Sequence, residues 1–291
     1  MNRTLEPIQR ILSRWAETDP LVLARSWVNE AGEPCVELAT HKQAQRFLKA
    51  FEGDPAEINI SVMAAPELKP PHGFFEITNA VEPIFRSESL AVLTTDIDRK
   101  DGPMRGLFKR EGALLVQLWE GTMGWIDVNR LREASEDTHW TAFNRLANGE
   151  AHPANISKPI DCLIAEARSY LDVPYVLGGR SRERIDCSGL TSRVFRDALQ
   201  WVLPRHSTDQ RRCGVRETQA TMRPGDLIFA RLGKTNVAHV GFVSEKAEGI
   251  TVIHASQRAS KVVEESINEF FTGYRFMGIR RLVVAEAGEG A

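Results

Sequence analysis

The chain has 291 residues, of which 42% are hydrophobic and 26% are charged, and its formal net charge at pH 7 is -2. This length predicts two or three domains with a sizeable core. The near balance of 37 basic and 39 acidic residues excludes the basic surface typical of nucleic-acid binding, so we expect no nucleic-acid partner.

No stretch approaches the roughly 20 continuous apolar residues that are needed to cross a bilayer, so we expect no membrane span. The opening sequence carries Arg3, Glu6, Arg10 and Arg14 where a signal peptide requires an apolar run. We therefore expect a cytoplasmic protein, with periplasmic or secreted location by a leaderless route as the alternative. The oligomeric state is left open.

The four cysteines, Cys35, Cys162, Cys187 and Cys213, are separated by wide and irregular intervals. Such spacing fits neither a disulfide framework nor the paired cysteines of a structural zinc site, so reduced thiols are expected. Cys35, Cys162 and Cys213 are interpreted as inert buried side chains.

Residues 1–75 alternate between helical and strand patterns. The apolar spacing of EPIQRILSRWAE predicts an amphipathic helix at 5–16. After it, LVLARSWV, PCVELAT and INISVMA are typical of strands, and HKQAQRFLKAF of a helix between the second and third strands. We expect a small α+β region or a second barrel, ending at the proline-rich PELKPPHG.

Residues 76–136 have the rhythm of a small antiparallel barrel, with short apolar runs separated by turns every 8 to 12 residues. The closing stretch ALLVQLWEGTMGWIDVNRL resembles the end of a bacterial SH3-like domain through Trp119, Gly124 and Trp125. The alternative for the two tryptophans is that they are core residues of any small barrel. A polar linker is expected at 137–158.

The stretch from residue 159 to residue 285 carries the candidate chemistry. IDCLIAEARSYLDVPYVLGG predicts a helix followed by a Gly178–Gly179 turn. Downstream, apolar residues recur at helical spacing, so Cys187 falls in the first turn of an amphipathic helix with Asp186 at its cap; the recurring residues are Leu190, Val194, Ala198, Trp201 and Val202. The field of a helix N-terminus favours a thiolate and an oxyanion, so we expect the pKa of Cys187 to be lowered.

Two histidines follow in strand-like sequence, His239 in NVAHVGFVSEK and His254 in GITVIHASQ. The turn AEG between them predicts a hairpin that brings both imidazoles to one sheet face. A cysteine, a histidine base and a second ring that orients the base form the arrangement of a cysteine protease triad.

At these residues the sequence resembles the NlpC family of peptidoglycan endopeptidases across roughly 160–282. Six pieces occur in the family's order: PYVLGG, DCSGL, LPRHSTDQ, MRPGDLIF, AHVGFV and VIHAS. The resemblance implies a papain-like α+β fold, so the expected fold class is α+β: an N-terminal α+β segment, an SH3-like barrel and this catalytic domain.

The resemblance also implies residue roles. Cys187 corresponds to the nucleophile, His239 to the general base and His254 to the residue that orients it. Tyr175 corresponds to a position that shapes the oxyanion site. Asp186, Ser188 and Ser207 correspond to residues lining the pocket for the free amino end of the substrate, while a plain helix cap for Asp186 and plain packing for Tyr175 are the alternatives.

The implied reaction is hydrolysis of the bond between γ-D-glutamate and meso-diaminopimelate or lysine in a peptidoglycan stem peptide, without metal or organic cofactor. An SH3-like barrel beside the cleft would favour free peptides with an N-terminal L-Ala over intact wall. An amidase or acyltransferase using the same thioester chemistry, and a catalytically silent wall-binding protein, are the alternatives.

Overall fold

The computed structural model describes nine stretches of the chain. They are residues 5–16, 24–38, 41–62, 70–91, 93–118, 122–135, 160–199, 201–235 and 238–282. The chain divides into two compact units, the first comprising residues 1–94, 99–118 and 122–140, and the second residues 95–98, 119–121 and 141–291. The predicted linker at 137–158 lies outside the described residues.

The first unit begins with the predicted α+β arrangement. Its elements are α1 (Glu6–Ala16), β1 (Ala24–Val28), β2 (Pro34–Leu38), α2 (His41–Ala50) and β3 (Asn59–Val62). The strand β2 pairs antiparallel with β1 and parallel with β3. Ile8 and Trp15 of α1 are buried together with Val36 and Phe47, so the apolar face predicted for the first helix is its core face.

A second sheet in this region is formed by seven short strands. They are β4 (Phe74–Ile77), β5 (Val81–Phe85), β6 (Leu93–Asp98), β7 (Met104–Arg110), β8 (Ala113–Gln117), β9 (Met123–Asp127) and β10 (Leu131–Ala134). Their order is β10-β4-β7-β8-β9-β5-β6. The last four residues of β6, 95–98, are grouped with the second unit.

The predicted barrel does not close among the described residues. A closed barrel requires its two end strands to pair with each other, whereas β10 and β6 end the sheet on opposite sides. Trp125 is fully buried beside Leu115, as either interpretation of this tryptophan requires. Trp119 lies outside the described residues, and the SH3-like assignment stays a prediction.

The second unit packs helices on a six-stranded sheet. Its helices are α3 (Ile160–Arg168), α4 (Cys187–Leu199), α5 (Ser207–Gln210) and α6 (Ile267–Gly273). Its strands are β11 (Val215–Glu217), β12 (Leu227–Leu232), β13 (Ala238–Lys246), β14 (Gly249–Ser256), β15 (Lys261–Ser266) and β16 (Tyr274–Arg281), in the order β11-β16-β12-β13-β14-β15. All neighbouring strands run antiparallel.

The helix α4 is anchored by its apolar stripe. Leu190, Val194 and Phe195 are fully buried in one core with Phe242 of β13 and Ile253 of β14. Because truncating a buried side chain of this size costs about 2–5 kcal/mol, this packing fixes the start of α4 against the sheet. The helix is shorter than its pattern suggests.

Beyond the helix, Trp201 keeps its place in the core by a different route. The helix ends at Leu199, so the helical spacing assigned to Trp201 and Val202 is wrong. The Trp201 ring instead stacks on Phe195, with centroids 6.0 Å apart, and its backbone N–H donates to the Phe195 carbonyl. The apolar pattern was therefore a correct guide to burial but not to helix length.

All four cysteines are free, as expected. Cys35 and Cys213 are buried, but Cys162 is exposed on α3, so its interpretation as a buried side chain is wrong. A turn at Pro224, Gly225 and Asp226 leads into β12, with Gly225 at a φ of 91°.

Candidate active site

Cys187 is the first residue of α4, and Asp186 caps that helix. The Asp186 carboxylate accepts the backbone N–H of Gly189 at 2.7 Å and that of Gly178 at 2.8 Å. Gly178 has a φ of 90°, a conformation that a side chain disfavours. The predicted turn thus folds back onto the carboxylate that caps the cysteine-bearing helix.

The Cys187 thiol lies against strand β13. Its sulfur accepts the backbone N–H of Val240, the residue after His239, and also that of Ser188. The helix start and the histidine strand, which are distant in sequence, therefore meet at the sulfur.

Burial, and secondarily the negative charge of Asp186, raise the pKa of Cys187 to about 12. The two backbone N–H groups act in the opposite direction but do not outweigh the loss of solvent around a side chain that is 8% exposed. The expectation of a lowered pKa is therefore wrong for the unliganded site. The sulfur holds its proton until a base removes it.

The two histidines meet as the hairpin pattern predicted. Strands β13 and β14 pair antiparallel from Phe242 opposite Ile253 to Lys246 opposite Gly249. His239 Nε2 lies 2.8 Å from His254 Nδ1, with the two rings nearly perpendicular.

A carboxylate that the sequence analysis missed completes this chain of contacts. Glu265 on β15 has its Oε1 atom 3.0 Å from His254 Nε2. Because an ionised carboxylate only accepts hydrogen bonds, it selects the tautomer of His254 that is protonated at Nε2. His254 Nδ1 then accepts from His239 Nε2–H, which leaves His239 Nδ1 without a proton and able to accept one.

Sequence alone carried a weak signal for Glu265. In an antiparallel sheet a residue two positions from a cross-strand partner is a diagonal neighbour. Val263 lies opposite His254, so Glu265 occupies such a diagonal position. This signal requires the register of β15 against β14, which the KVVEES pattern does not specify.

Aromatic rings cover the histidine pair. Tyr274 stacks on His239 with ring centroids 4.3 Å apart, and Phe270 packs edge-on against His254 at 5.1 Å. Burial, together with the neighbouring His254, holds the pKa of His239 well below its usual 6.5. The resting pair is therefore a neutral thiol and a neutral imidazole.

On another side of the nucleophile, a buried arginine joins two of the predicted substrate contacts. Arg205 makes a bidentate pair with Asp186 at 3.0 and 2.7 Å and donates to Ser188 Oγ at 3.0 Å. The Asp186 carboxylate is thus engaged by a helix cap and an arginine, which favours the cap interpretation. The role of Arg205 within the LPRHSTDQ motif was not anticipated.

Tyr175 lies close enough to Cys187 for the charge of a thiolate to act on it. Burial, and secondarily the proximity of Cys187, raise the pKa of Tyr175. Its hydroxyl therefore stays protonated and able to donate a hydrogen bond. The ring also packs against the core of the unit, so the packing interpretation of Tyr175 and the oxyanion interpretation are compatible.

Ser207 begins α5 and borders a cavity whose lining also includes His239. Its role in the pocket for the amino end of the substrate stays a prediction. His206, the residue before Ser207, is exposed. The described residues contain no group of three His, Cys, Asp or Glu side chains arranged to hold a metal ion.

No helix within the described residues is long and apolar enough to span a bilayer.

Comparison with known proteins gives a consistent result for the second unit. A model of the NlpC/P60 family matches residues 172–281. A gamma-DL-glutamyl hydrolase of Bacillus subtilis is 34% identical over 133 residues, 45% of this chain and 30% of the relative. The chain therefore spans less than a third of that relative's length.

Two further relatives are matched over more of their length. A probable endopeptidase of Haemophilus influenzae is 34% identical over 124 residues, 42% of this chain and 74% of the relative. The murein DD-endopeptidase MepS/murein LD-carboxypeptidase of Escherichia coli is 33% identical over 132 residues, 44% and 68% of the two chains. A crystal structure of an NlpC/P60 family protein from Bacillus cereus aligns with 24% identity and a TM-score of 0.39, covering 72% of this chain and 63% of that one.

Proposed function

Because the chain belongs to the NlpC/P60 family, we propose that it is a cysteine-type endopeptidase that cleaves peptidoglycan stem peptides after γ-D-glutamate. The observation that carries this proposal has two parts: the Cys187 thiol, at a helix start, accepts the backbone N–H of Val240 next to His239, and His239, His254 and Glu265 form a continuous contact chain. A binding protein needs no such chain, since it serves only to remove and return a proton.

The mechanism begins with the neutral pair. As Cys187 Sγ attacks the scissile carbonyl carbon, its proton passes to His239 Nδ1, and the resulting imidazolium is stabilised through His254 by Glu265. The Tyr175 hydroxyl and the backbone N–H of Cys187 are suited to stabilise the oxyanion.

The intermediate then collapses. The C–N bond breaks, His239 returns its proton to the leaving amine, and a thioester to Cys187 remains. Water, deprotonated by the same imidazole, attacks the thioester carbon. The acyl part leaves as a carboxylic acid and the thiol recovers its proton, so neither metal nor organic cofactor takes part.

The bond specificity rests on the resemblance and on the names of relatives. One relative is a gamma-DL-glutamyl hydrolase and another a murein DD-endopeptidase and LD-carboxypeptidase, so different bonds are cleaved within this group. We propose the bond between γ-D-glutamate and meso-diaminopimelate or lysine. Asp186 and Ser188 are proposed to act at the amino end of the substrate, Asp186 chiefly by fixing the helix start.

A preference for free peptides with an N-terminal L-Ala, and a cytoplasmic location where such peptides are recycled, are parts of the same proposal. Incubation with intact sacculi and with free L-Ala-γ-D-Glu-diamino acid tripeptide compares the two substrates. Equal rates of digestion would contradict the preference, and recovery of the native protein from the periplasm or medium would contradict the location.

The decisive experiment is mass spectrometry of defined stem peptides after incubation with wild type and Cys187→Ala. Wild type is expected to release the free diamino acid, and Cys187→Ala to release none while still binding the peptide. Cys162→Ala is the matched control, since Cys162 is an exposed thiol in the same unit. Hydrolysis by Cys187→Ala would refute the cysteine mechanism, and cleavage of other amides only would favour an amidase or acyltransferase.

A further inference from the structure

A cavity opens directly beside the base. It has a volume of about 420 Å³, within the range of small-ligand sites, and lies between α5 and strands β12, β13 and β16. Its lining includes Ser207, Arg211, Arg212, Arg231, His239 and Arg280. All of these residues belong to the second unit.

The lining of this cavity is strongly basic. It carries four arginines and, among the described residues, no aspartate or glutamate. Arg212 has an acidic neighbour, Asp209, but at 3.6 Å and with both side chains largely exposed. Arg211 donates a hydrogen bond to the Met277 carbonyl. Because a carbonyl carries no net charge, this bond does not neutralise the guanidinium of Arg211. A concave site lined by one sign of charge concentrates ligands of the opposite sign.

The position of the cavity fixes which part of a substrate it receives. In the proposed mechanism His239 returns its proton to the leaving amine, so that amine must lie within hydrogen-bond reach of the imidazole. The residue bearing the amine therefore projects to the His239 side of the thiol. Because His239 belongs to the lining of the cavity, we assign the cavity to that side.

Charge then discriminates between the two diamino acids considered above. When it is the last residue of a peptide, lysine carries one carboxylate and one ammonium, whereas diaminopimelate carries a second carboxylate and is net negative. A guanidinium pairs well with a carboxylate and repels an ammonium. Since both residues carry an ammonium, they differ at the second carboxylate, which an arginine-rich lining favours.

We propose that the arginine-lined cavity is the site for the leaving residue and selects diaminopimelate over lysine by binding its carboxylates. This inference rests on the proposed function for the direction of the substrate. Arg280 is assigned as a specificity-determining residue because it is half-buried in the lining, on the strand β16 that pairs with β12.

The first arm of the test measures kcat/KM for L-Ala-γ-D-Glu tripeptides ending in meso-diaminopimelate or in L-lysine. Wild type is expected to prefer the diaminopimelate tripeptide by about tenfold or more, as for a charge-assisted hydrogen bond. Arg280→Gln, and the double variant that adds Arg211→Gln, should lower this ratio, because kcat/KM for the diaminopimelate tripeptide falls more than kcat/KM for the lysine tripeptide. Arg275→Gln is the matched control, since Arg275 is exposed on the same strand and outside the lining.

Equal kcat/KM values of wild type for the two tripeptides would overturn the inference. It would also be overturned if the double variant kept the full preference. Either result would leave the peptidase assignment intact, because both require that the γ-D-glutamyl bond be cleaved.

A second arm separates the cavity from the chemistry. Calorimetric titration of Cys187→Ala with the same two tripeptides measures binding without turnover. Tighter binding of the diaminopimelate tripeptide, lost in Cys187→Ala combined with Arg280→Gln, supports the inference even if wild type hydrolyses neither peptide. Equal affinities overturn it, whereas absence of hydrolysis by wild type overturns only the proposed function.

Discussion

Removing the charge of Glu265 tests the contact chain at its far end. In the wild-type protein, Glu265 Oε1 lies 3.0 Å from His254 Nε2. In Glu265→Gln the amide oxygen can still accept a hydrogen bond from His254 Nε2, so the orientation of the ring is preserved while the carboxylate charge is lost. A hydrogen bond to a charged partner contributes about 1.5–3 kcal/mol, which corresponds to about 10- to 100-fold in rate. Since Glu265 is partly exposed, we expect the lower value.

The assay is steady-state hydrolysis of the tripeptide as a function of pH. We expect kcat to fall about tenfold with KM unchanged, because Glu265 acts on the imidazoles and does not line the cavity. The acid limb of the pH profile of kcat should move to lower pH, because the imidazolium form of the base loses the stabilising negative charge of Glu265. A merely structural role would produce neither the split between kcat and KM nor the displaced limb.

Two controls make this result interpretable. Glu248→Gln removes one carboxylate from the exposed turn between β13 and β14 and should leave kcat unchanged. Chemical denaturation shows whether Glu265→Gln is folded. A folded Glu265→Gln variant with kcat within about twofold of wild type would refute the proposed stabilisation of the imidazolium by Glu265, because the charge-assisted hydrogen bond would then contribute nothing to kcat.

Two other predictions concern the neutral resting pair and the buried ion pair. The pKa of His239 lies well below 6.5, and that of Cys187 is raised to about 12. Wild-type kcat/KM should therefore stay constant as the pH falls to 6.5 and decline only below that pH. A kcat/KM that is already half-maximal above pH 6.5 would contradict a base of lowered pKa. Arg205→Met leaves the Asp186 carboxylate buried without its partner, so urea denaturation should show a free energy of unfolding that is lower by about 3–5 kcal/mol. Arg216→Met is the control, because Arg216 is exposed on β11. Equal stabilities of the two variants would contradict the argument.

The neutral pair has a mechanistic consequence. A site that stored a thiolate and an imidazolium would need solvent or nearby charge to stabilise both ions. Here Cys187 is buried, and the buried His239 ring lies against Tyr274 and Phe270. Burial disfavours both ions, so charge separation is delayed until substrate is attacked. The Glu265 carboxylate then stabilises the positive charge that develops on the histidines.

The local sequence pattern was sufficient to predict those elements whose physical cause lies within a few neighbouring residues. The start of α4 follows from an Asp186 cap and an apolar stripe, both of which act within a few residues. The hairpin of β13 and β14 follows from a short turn between alternating strands, which sets the register and so brings His239 to His254. These two elements carry the thiol and both imidazoles.

The local sequence pattern was insufficient to predict features of the fold that depend on pairing between strands distant in sequence. Regular apolar runs predicted the strands of residues 76–136, but whether such a sheet closes depends on stagger between its end strands, which alternation does not encode.

The amino-acid order therefore predicted a candidate site of one thiol and two imidazoles, because helix caps, amphipathic stripes and short turns are fixed by neighbours along the chain. Tertiary structure decided their electrostatics: it buried the Cys187 sulfur deeply enough to reverse the sign of the expected pKa shift, and it placed Glu265 behind His254. It also gathered arginines from β12, β16 and the two residues that follow α5 around one cavity. Solvent exclusion and long-range proximity are properties of the packed fold, which no local pattern specifies.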